Sequence, residues 1–106
     1  MPLTYFAIIP HNSLDYQKAV DLRYDVLRKP LGLTFNINDL AQEKNFIHIV
    51  GKIQNEVIAT AMLVPEKDRI KMKQVAVAIH LQNQGIGSTL LQFTHACALQ
   101  NHFTHI

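Results

Sequence analysis

The segment IHLQNQGIGSTLLQ, Ile79 to Gln92, places two glycines two residues apart. They fall where an apolar run, Val75-Ala76-Val77, hands over to a stretch of helical periodicity. The first N–H groups of a helix have no intrahelical partner and carry the positive end of the helix dipole. When the preceding loop aims its own N–H groups the same way, the turn becomes an anion-binding nest. Gly85 and Gly87 lack the Cβ atoms that would hold a phosphate away. Asn83, Gln84 and Ser88 are small or polar, and Ser88 adds a hydroxyl. A pyrophosphate suits that chemistry; the competing reading of the glycines is a tight turn with close helix–strand packing. Two common nucleotide signatures are absent. No G-x-x-x-x-G-K-[ST] occurs, and in a G-x-G-x-x-G frame opened by Gly85 the third site holds Leu90.

A proton acceptor is less clearly written. His80 lies just past the apolar run, and a histidine of ordinary pKa can accept a proton near neutrality. As a loop residue it can equally do no more than face solvent. Glu43 and Glu56 read as surface carboxylates. His95, His102, His105 and Cys97 match no strong zinc-ligand spacing, so no metal is expected. Cys97 falls on the apolar stripe of a helix, which suits a core residue better than a nucleophile.

These residues need a strand that ends before them and a helix that starts among them. Leu3 to Ile9, closed by Pro10, reads as a strand. Asn12 or Ser13 can cap a helix carrying Asp15 in its first turn, with Ala19, Leu22, Val26 and Leu27 at helical spacing and Pro30 and Gly32 ending it. A short helix is expected near Asp39–Glu43. Phe46 to Ile53 and Glu56 to Val64 are strands joined by a Gln54-Asn55 turn, where Asn tolerates positive φ. Pro65 to Asp68 turns the chain into Ile70-Lys71-Met72-Lys73, which alternates as a half-exposed strand does. Gln74 to Ile79 is mostly apolar and reads as buried on both faces. The last helix runs from about Gly85 to Gln100, with Ile86, Leu90, Phe93 and Cys97 on one stripe. Phe103 to Ile106 looks like the start of another strand.

Composition bounds the rest. A chain of 106 residues, 48% hydrophobic and 17% charged, is one globular domain, residues 1–106. A net charge of +2 gives no reason to expect nucleic acid or a membrane surface as partner. The basic run Lys67, Arg69, Lys71 and Lys73 reads as a solvated strand face. The single cysteine forbids an internal disulfide and suits a reducing compartment. With no apolar run of about 18 residues and no signal-peptide pattern, a cytoplasmic location is expected.

Gln82-Asn83-Gln84-Gly85-Ile86-Gly87 fits Q/R-x-x-G-x-G/A, and KMKQVAVAIHLQNQGIGSTLL resembles the acyl-CoA-binding motif of the GNAT superfamily of N-acetyltransferases. The N-terminal strand, the helix carrying DLRYDVLRKPLGL and the three-strand meander are similar to that family in the same order. The resemblance implies an α/β fold: a mixed, mainly antiparallel sheet flanked by helices, acyl-CoA N-acyltransferase-like, with its C-terminal part missing. It implies acetyl-CoA as co-substrate, a bulged fourth strand, and a pantetheine arm paired with the backbone of Val75, Ala76 and Val77. The N–H groups of Asn83, Gln84, Gly85, Ile86, Gly87 and Ser88 would hold the pyrophosphate, and Gln82 would shape the loop. The thioester would lie near Val77 and Ala78, open to attack by a primary amine, with His80 the candidate base. The family pattern continues past a fifth strand, whereas this sequence ends at Ile106. The expectation is therefore a fragment, or a homodimer in which another copy completes the sheet. The alternative function is an acyltransferase fold that binds CoA, or associates through its open edge, without catalysis.

Overall fold

The computed structural model describes residues 4–33, 37–66 and 69–100. Among these residues four strands form one antiparallel sheet in the order β1-β2-β3-β4: β1 Thr4–Ile9, β2 Ile47–Ile53, β3 Glu56–Glu66 and β4 Arg69–Val77. Three α-helices accompany them: α1 Leu14–Arg23, α2 Ile37–Ala41 and α3 Ile86–Gln100. Leu3, Lys67, Asp68 and the expected strand start at residues 103–106 lie outside the described residues.

Ser13 begins α1, since its Oγ accepts from the Tyr16 N–H at 3.1 Å and so satisfies a donor that the helix leaves free. The helix does not run straight to Pro30. It widens into a π-type turn at Tyr24–Arg28, tightens to a 3-10 turn at Lys29–Leu31 and stops at Gly32, whose φ of 69° suits glycine. The β2–β3 hairpin also differs in detail from expectation: Gln54, not Asn55, takes the positive φ, 57°.

Residues 57–64 of β3 are all buried, and α1 and α3 both pack on that strand, so the helices cover the two sides of the sheet. Ile49, Val50, Ile58, Leu63, Ile70 and Leu90 form the centre of the core. The helix α3 is registered on the sheet partly through a vacancy. Gly51 of β2 faces Phe6 of β1, and a Cβ at Gly51 would stand 2.6 Å from the Phe6 ring. The ring uses that space and stacks on Phe93 of α3 at a centroid distance of 5.7 Å. Leu90, Thr94, Cys97 and Ala98 are the buried face of α3, and the Thr94 hydroxyl is satisfied by donating to the Leu90 carbonyl at 2.7 Å.

The strand β4 corrects one expectation. The segment from Gln74 to Ile79 is not buried on both faces: Ala76 and Ala78 are buried, but Val75 is 37% exposed and Ile79 is 64% exposed. The physical reason is position. Among the described residues β4 pairs only with β3, so it is an edge strand.

Candidate functional site

The site lies along the free edge of β4 and around the turn that follows it. In the ladder, Thr60 faces Ala76 but Met62 faces Lys73, so Ala61 alone stands opposite both Gln74 and Val75. That is a β-bulge on β4, and Gln74 takes a φ of 56° to make it. Beyond the bulge the Ala78 N–H donates to the Ile58 carbonyl at 2.8 Å. Antiparallel strands send alternate residues' backbone groups to opposite sides. Ala76 and Ala78 therefore face β3, and Val77, with Val75 beside the bulge, faces the free edge. Ala78, expected beside a thioester, has its N–H committed to β3. The outward Val77 carbonyl accepts from Nε2 of Gln82 at 3.0 Å.

A 3-10 turn, Ile79–Leu81, links strand to loop, closed by Leu81 N–H to the Ala78 carbonyl at 2.9 Å and Gln82 N–H to the Ile79 carbonyl at 3.4 Å. Asn83 then takes a φ of 66° and Gly85 one of 84°. These two left-handed residues curl the chain into the start of α3. The first backbone bond of the helix is Thr89 N–H to the Gly85 carbonyl at 3.2 Å, and the Thr89 hydroxyl donates to the same carbonyl. Gln82 and Asn83 form a turn, and among the described residues no well-formed hydrogen bond is made by the N–H groups of Ile86 to Ser88, as the first turn of a helix requires. A Cβ built on Gly87 meets nothing within 4 Å, and neither does one on Gly85. The open space over these glycines is where an anion could approach the N–H groups. Helix–strand packing therefore does not explain the glycine at Gly87.

A groove of about 280 Å³ joins these parts, lined by Val26, Val75, Ala76, Val77, Gln82, Asn83 and Gly87. Its wall from the helical side is Val26, which also lines a larger cavity of about 1140 Å³ with Asp21, Asp25, Glu56, Ala78, Ile79 and His80. A third cavity, of about 480 Å³, lies over the start of α3 and shares His80 and Glu56. His80 is thus exposed at the junction of two cavities, and Glu56 stands with it. Gln84, Gly85 and Ile86 line the third cavity rather than the groove.

Glu43 was legible in the sequence only as a surface carboxylate, and the structure overturns that. It is 7% exposed, and its carboxylate accepts from both terminal nitrogens of Arg23, Nη1 to Oε1 at 2.8 Å and Nη2 to Oε2 at 2.9 Å. The Tyr16 hydroxyl donates to Oε1 at 2.8 Å. Burial raises the Glu43 pKa, but the Arg23 and Tyr16 hydrogen bonds outweigh it and hold the carboxyl below its ordinary value. Burial, and then Glu43, push the Tyr16 hydroxyl well above the usual tyrosine range. His48 donates through Nε2 to the Glu43 carbonyl at 2.8 Å, and His11 likewise to the Leu40 carbonyl at 2.9 Å. The two imidazoles pack on the Tyr16 ring at 4.8 and 4.4 Å. Burial depresses the His48 pKa. This cluster docks α2 and the following turn, Gln42–Asn45, onto α1 and β2. A sign of it exists in the sequence, because the buried stripe Tyr16, Ala19, Val20 ends on Arg23 at helical spacing.

Among the described residues no group of three His, Cys, Asp or Glu side chains could hold a metal ion. Cys97 is buried, and burial pushes its thiol pKa up, away from thiolate chemistry. No helix among the described residues is long and apolar enough to cross a membrane.

Comparison with solved structures places this architecture. A Lactobacillus plantarum protein described as an N-acetyltransferase superposes with a TM-score of 0.81 at 21% identity, over 95% of this chain and 70% of its own. Escherichia coli ElaA gives 0.78 at 18% identity, over 92% and 71%. A GNAT family acetyltransferase of Elizabethkingia anophelis, solved with acetyl-CoA bound, gives 0.71 at 23% identity, over 94% and 60%. At these identities the likeness is one of fold, and the chain spans 60–71% of the length of these three solved structures. No curated protein sequence matches the chain significantly. The acetyltransferase (GNAT) family matches residues 12–106, nearly the whole sequence, and to that family the chain belongs.

Proposed function

We propose that this chain forms the acetyl-CoA-binding part of an N-acetyltransferase that transfers an acetyl group to a primary amine by direct attack. The observation that carries the reading is the groove itself. It runs from the outward-facing Val77 to a helix start whose N–H groups have no partner among the described residues, and Gly87 leaves free the volume that a Cβ would fill. An amide-bearing arm can lie along the strand edge while a pyrophosphate accepts from residues 83–88. In the reaction the amine nitrogen attacks the thioester carbonyl, the carbon–sulfur bond breaks and the thiolate leaves. The nitrogen gives up its proton to a base or to water. The Val77 N–H, turned to the edge beside the bulge, can donate to the carbonyl oxygen as it gains charge. His80 is the proposed base, and its exposure where two cavities meet leaves it accessible to an amine. A reducing, cytoplasmic setting goes with this reading.

Calorimetry tests it. Wild-type protein should bind CoA, and Gly87→Val should bind it at least tenfold more weakly, because the added side chain stands where the phosphate would lie. Equal affinity in a folded variant would end the assignment of this turn to the pyrophosphate.

One observation favours a second reading, in which the chain holds CoA or associates with another copy without catalysis. The edge of β4 has no partner among the described residues, and Val75 and Ile79 are exposed along it. Lys71 and Lys73, also exposed, work against pairing of the first half of that edge with itself. Sedimentation at tens of micromolar that finds only monomer, together with acetyl transfer in an amine screen, would dispose of it.

A further inference from the structure

The hydrogen bond from Gln82 to Val77 has a meaning beyond loop shape. A residue of an extended strand points its N–H and C=O to the same side, so the outward Val77 carbonyl is the rung that any strand added to β4 would use. Within this chain the rung is already filled: Nε2 of Gln82 donates to it at 3.0 Å. A side-chain carboxamide offers the same N–H as a peptide or pantetheine amide. Donor and acceptor both line the 280 Å³ groove, together with Asn83 and Gly87 of the phosphate turn.

We propose that Gln82 is a displaceable placeholder, whose carboxamide satisfies the Val77 carbonyl in the unliganded protein and yields it to an amide N–H of the pantetheine arm. Two features separate a placeholder from a brace. The turn beneath Gln82 is closed by its own backbone, Leu81 N–H to the Ala78 carbonyl and Gln82 N–H to the Ile79 carbonyl, so it does not need the side chain. Gln82 is also exposed, and its carboxamide can swing into water without uncovering a core. Binding then exchanges one amide donor for another at Val77. The ligand must first break the internal bond, and the loss shows as lowered affinity.

The inference rests on the CoA-binding reading above, and the test separates the two. Gln82→Met keeps the length of the side chain and removes the donor; Gln82→Ala removes donor and length together. Each is titrated calorimetrically with CoA and with adenosine 3′,5′-bisphosphate, which lacks the pantetheine arm. The expected result is CoA affinity raised roughly two- to tenfold in both variants, with the bisphosphate unchanged. CoA affinity that is unchanged or lower in the variants overturns the placeholder, and a parallel loss for both ligands identifies Gln82 as a brace of the phosphate turn. A wild-type protein that binds neither ligand overturns the CoA reading and this inference with it. Wild-type binding with insensitive variants overturns this inference alone.

Discussion

Two polar regions of the molecule use their hydrogen-bonding groups in opposite ways. Around Glu43 the groups turn inward: Arg23 and Tyr16 both donate to the carboxylate, and His48 and His11 donate to backbone carbonyls. Along the free edge of β4 and at the start of α3 donors are left open among the described residues, and an internal contact at the strand edge comes from an exposed glutamine. A buried polar group without a partner costs roughly 1–3 kcal/mol, more if charged, so the interior must close its network. Donors at an exposed edge are satisfied by water and can be left for a ligand. The contrast teaches where to look for function in this fold: the tightest polar cluster is an anchor, and the open one is the candidate site.

The comparison can be broken at several points. The largest effect is expected from Glu43→Ala. It leaves the Arg23 guanidinium buried without its carboxylate, and breaking a buried ion pair costs about 3–5 kcal/mol. That is a large share of the net stability of a domain this size. Denaturant unfolding measures it. A loss below about 1 kcal/mol would mean that water reaches the pair and that the anchor is a surface bridge. Gly87→Val should behave in the opposite way, with weakened CoA binding and a midpoint of unfolding close to wild type, because a Cβ at that position has open space around it.

A smaller effect follows from pH. The folded pKa of His48 lies below its ordinary value of 6.5. As pH falls below that value the unfolded chain takes up a proton that the folded chain refuses, so stability is full above it and declines as pH drops toward the folded pKa. Glu43, also depressed, adds its own loss further into acid, below the ordinary carboxylate range, for the same sign reason. His48→Gln keeps a donor for the Glu43 carbonyl and cannot titrate. Its melting temperature should hold steadier than wild type between pH 6.5 and 5.5 (roughly the upper part of the histidine range). Parallel curves for the two proteins would clear His48 of the acid loss. The smallest structural change is His80→Ala on an exposed turn. It should lower turnover, by about 10²-fold if His80 is the general base, while CoA affinity stays nearly constant. Turnover equal to wild type across the pH range would make His80 a loop residue only.

Much of the fold and the turn could be read from the sequence because the signals are local. Ser13 caps α1, Pro30 and Gly32 stop its continuation, and the β2–β3 hairpin forms at Gln54-Asn55. Each is a choice among a few neighbouring residues. Gly85 marks the turn into α3 for the same reason, since its φ of 84° is a local backbone requirement. Burial along β4 departs from its sequence pattern because the apolar residues of Gln74–Ile79 say only that the segment prefers cover, whereas exposure depends on which elements lie beside it.

By itself the sequence determined the order of elements, the caps, the stripe of α3 and the glycine turn, all set by interactions between residues close along the chain. The tertiary structure alone decided three other things. It brought Glu43 onto Arg23 across twenty residues, which no local pattern requires. It put one extra residue into β4 at Gln74–Val75, through a ladder mismatch that exists only once β3 is alongside. It turned the Val77 carbonyl to the free edge and laid Gln82 on it, because the direction of a backbone group is fixed by the strand it pairs with and not by its own side chain.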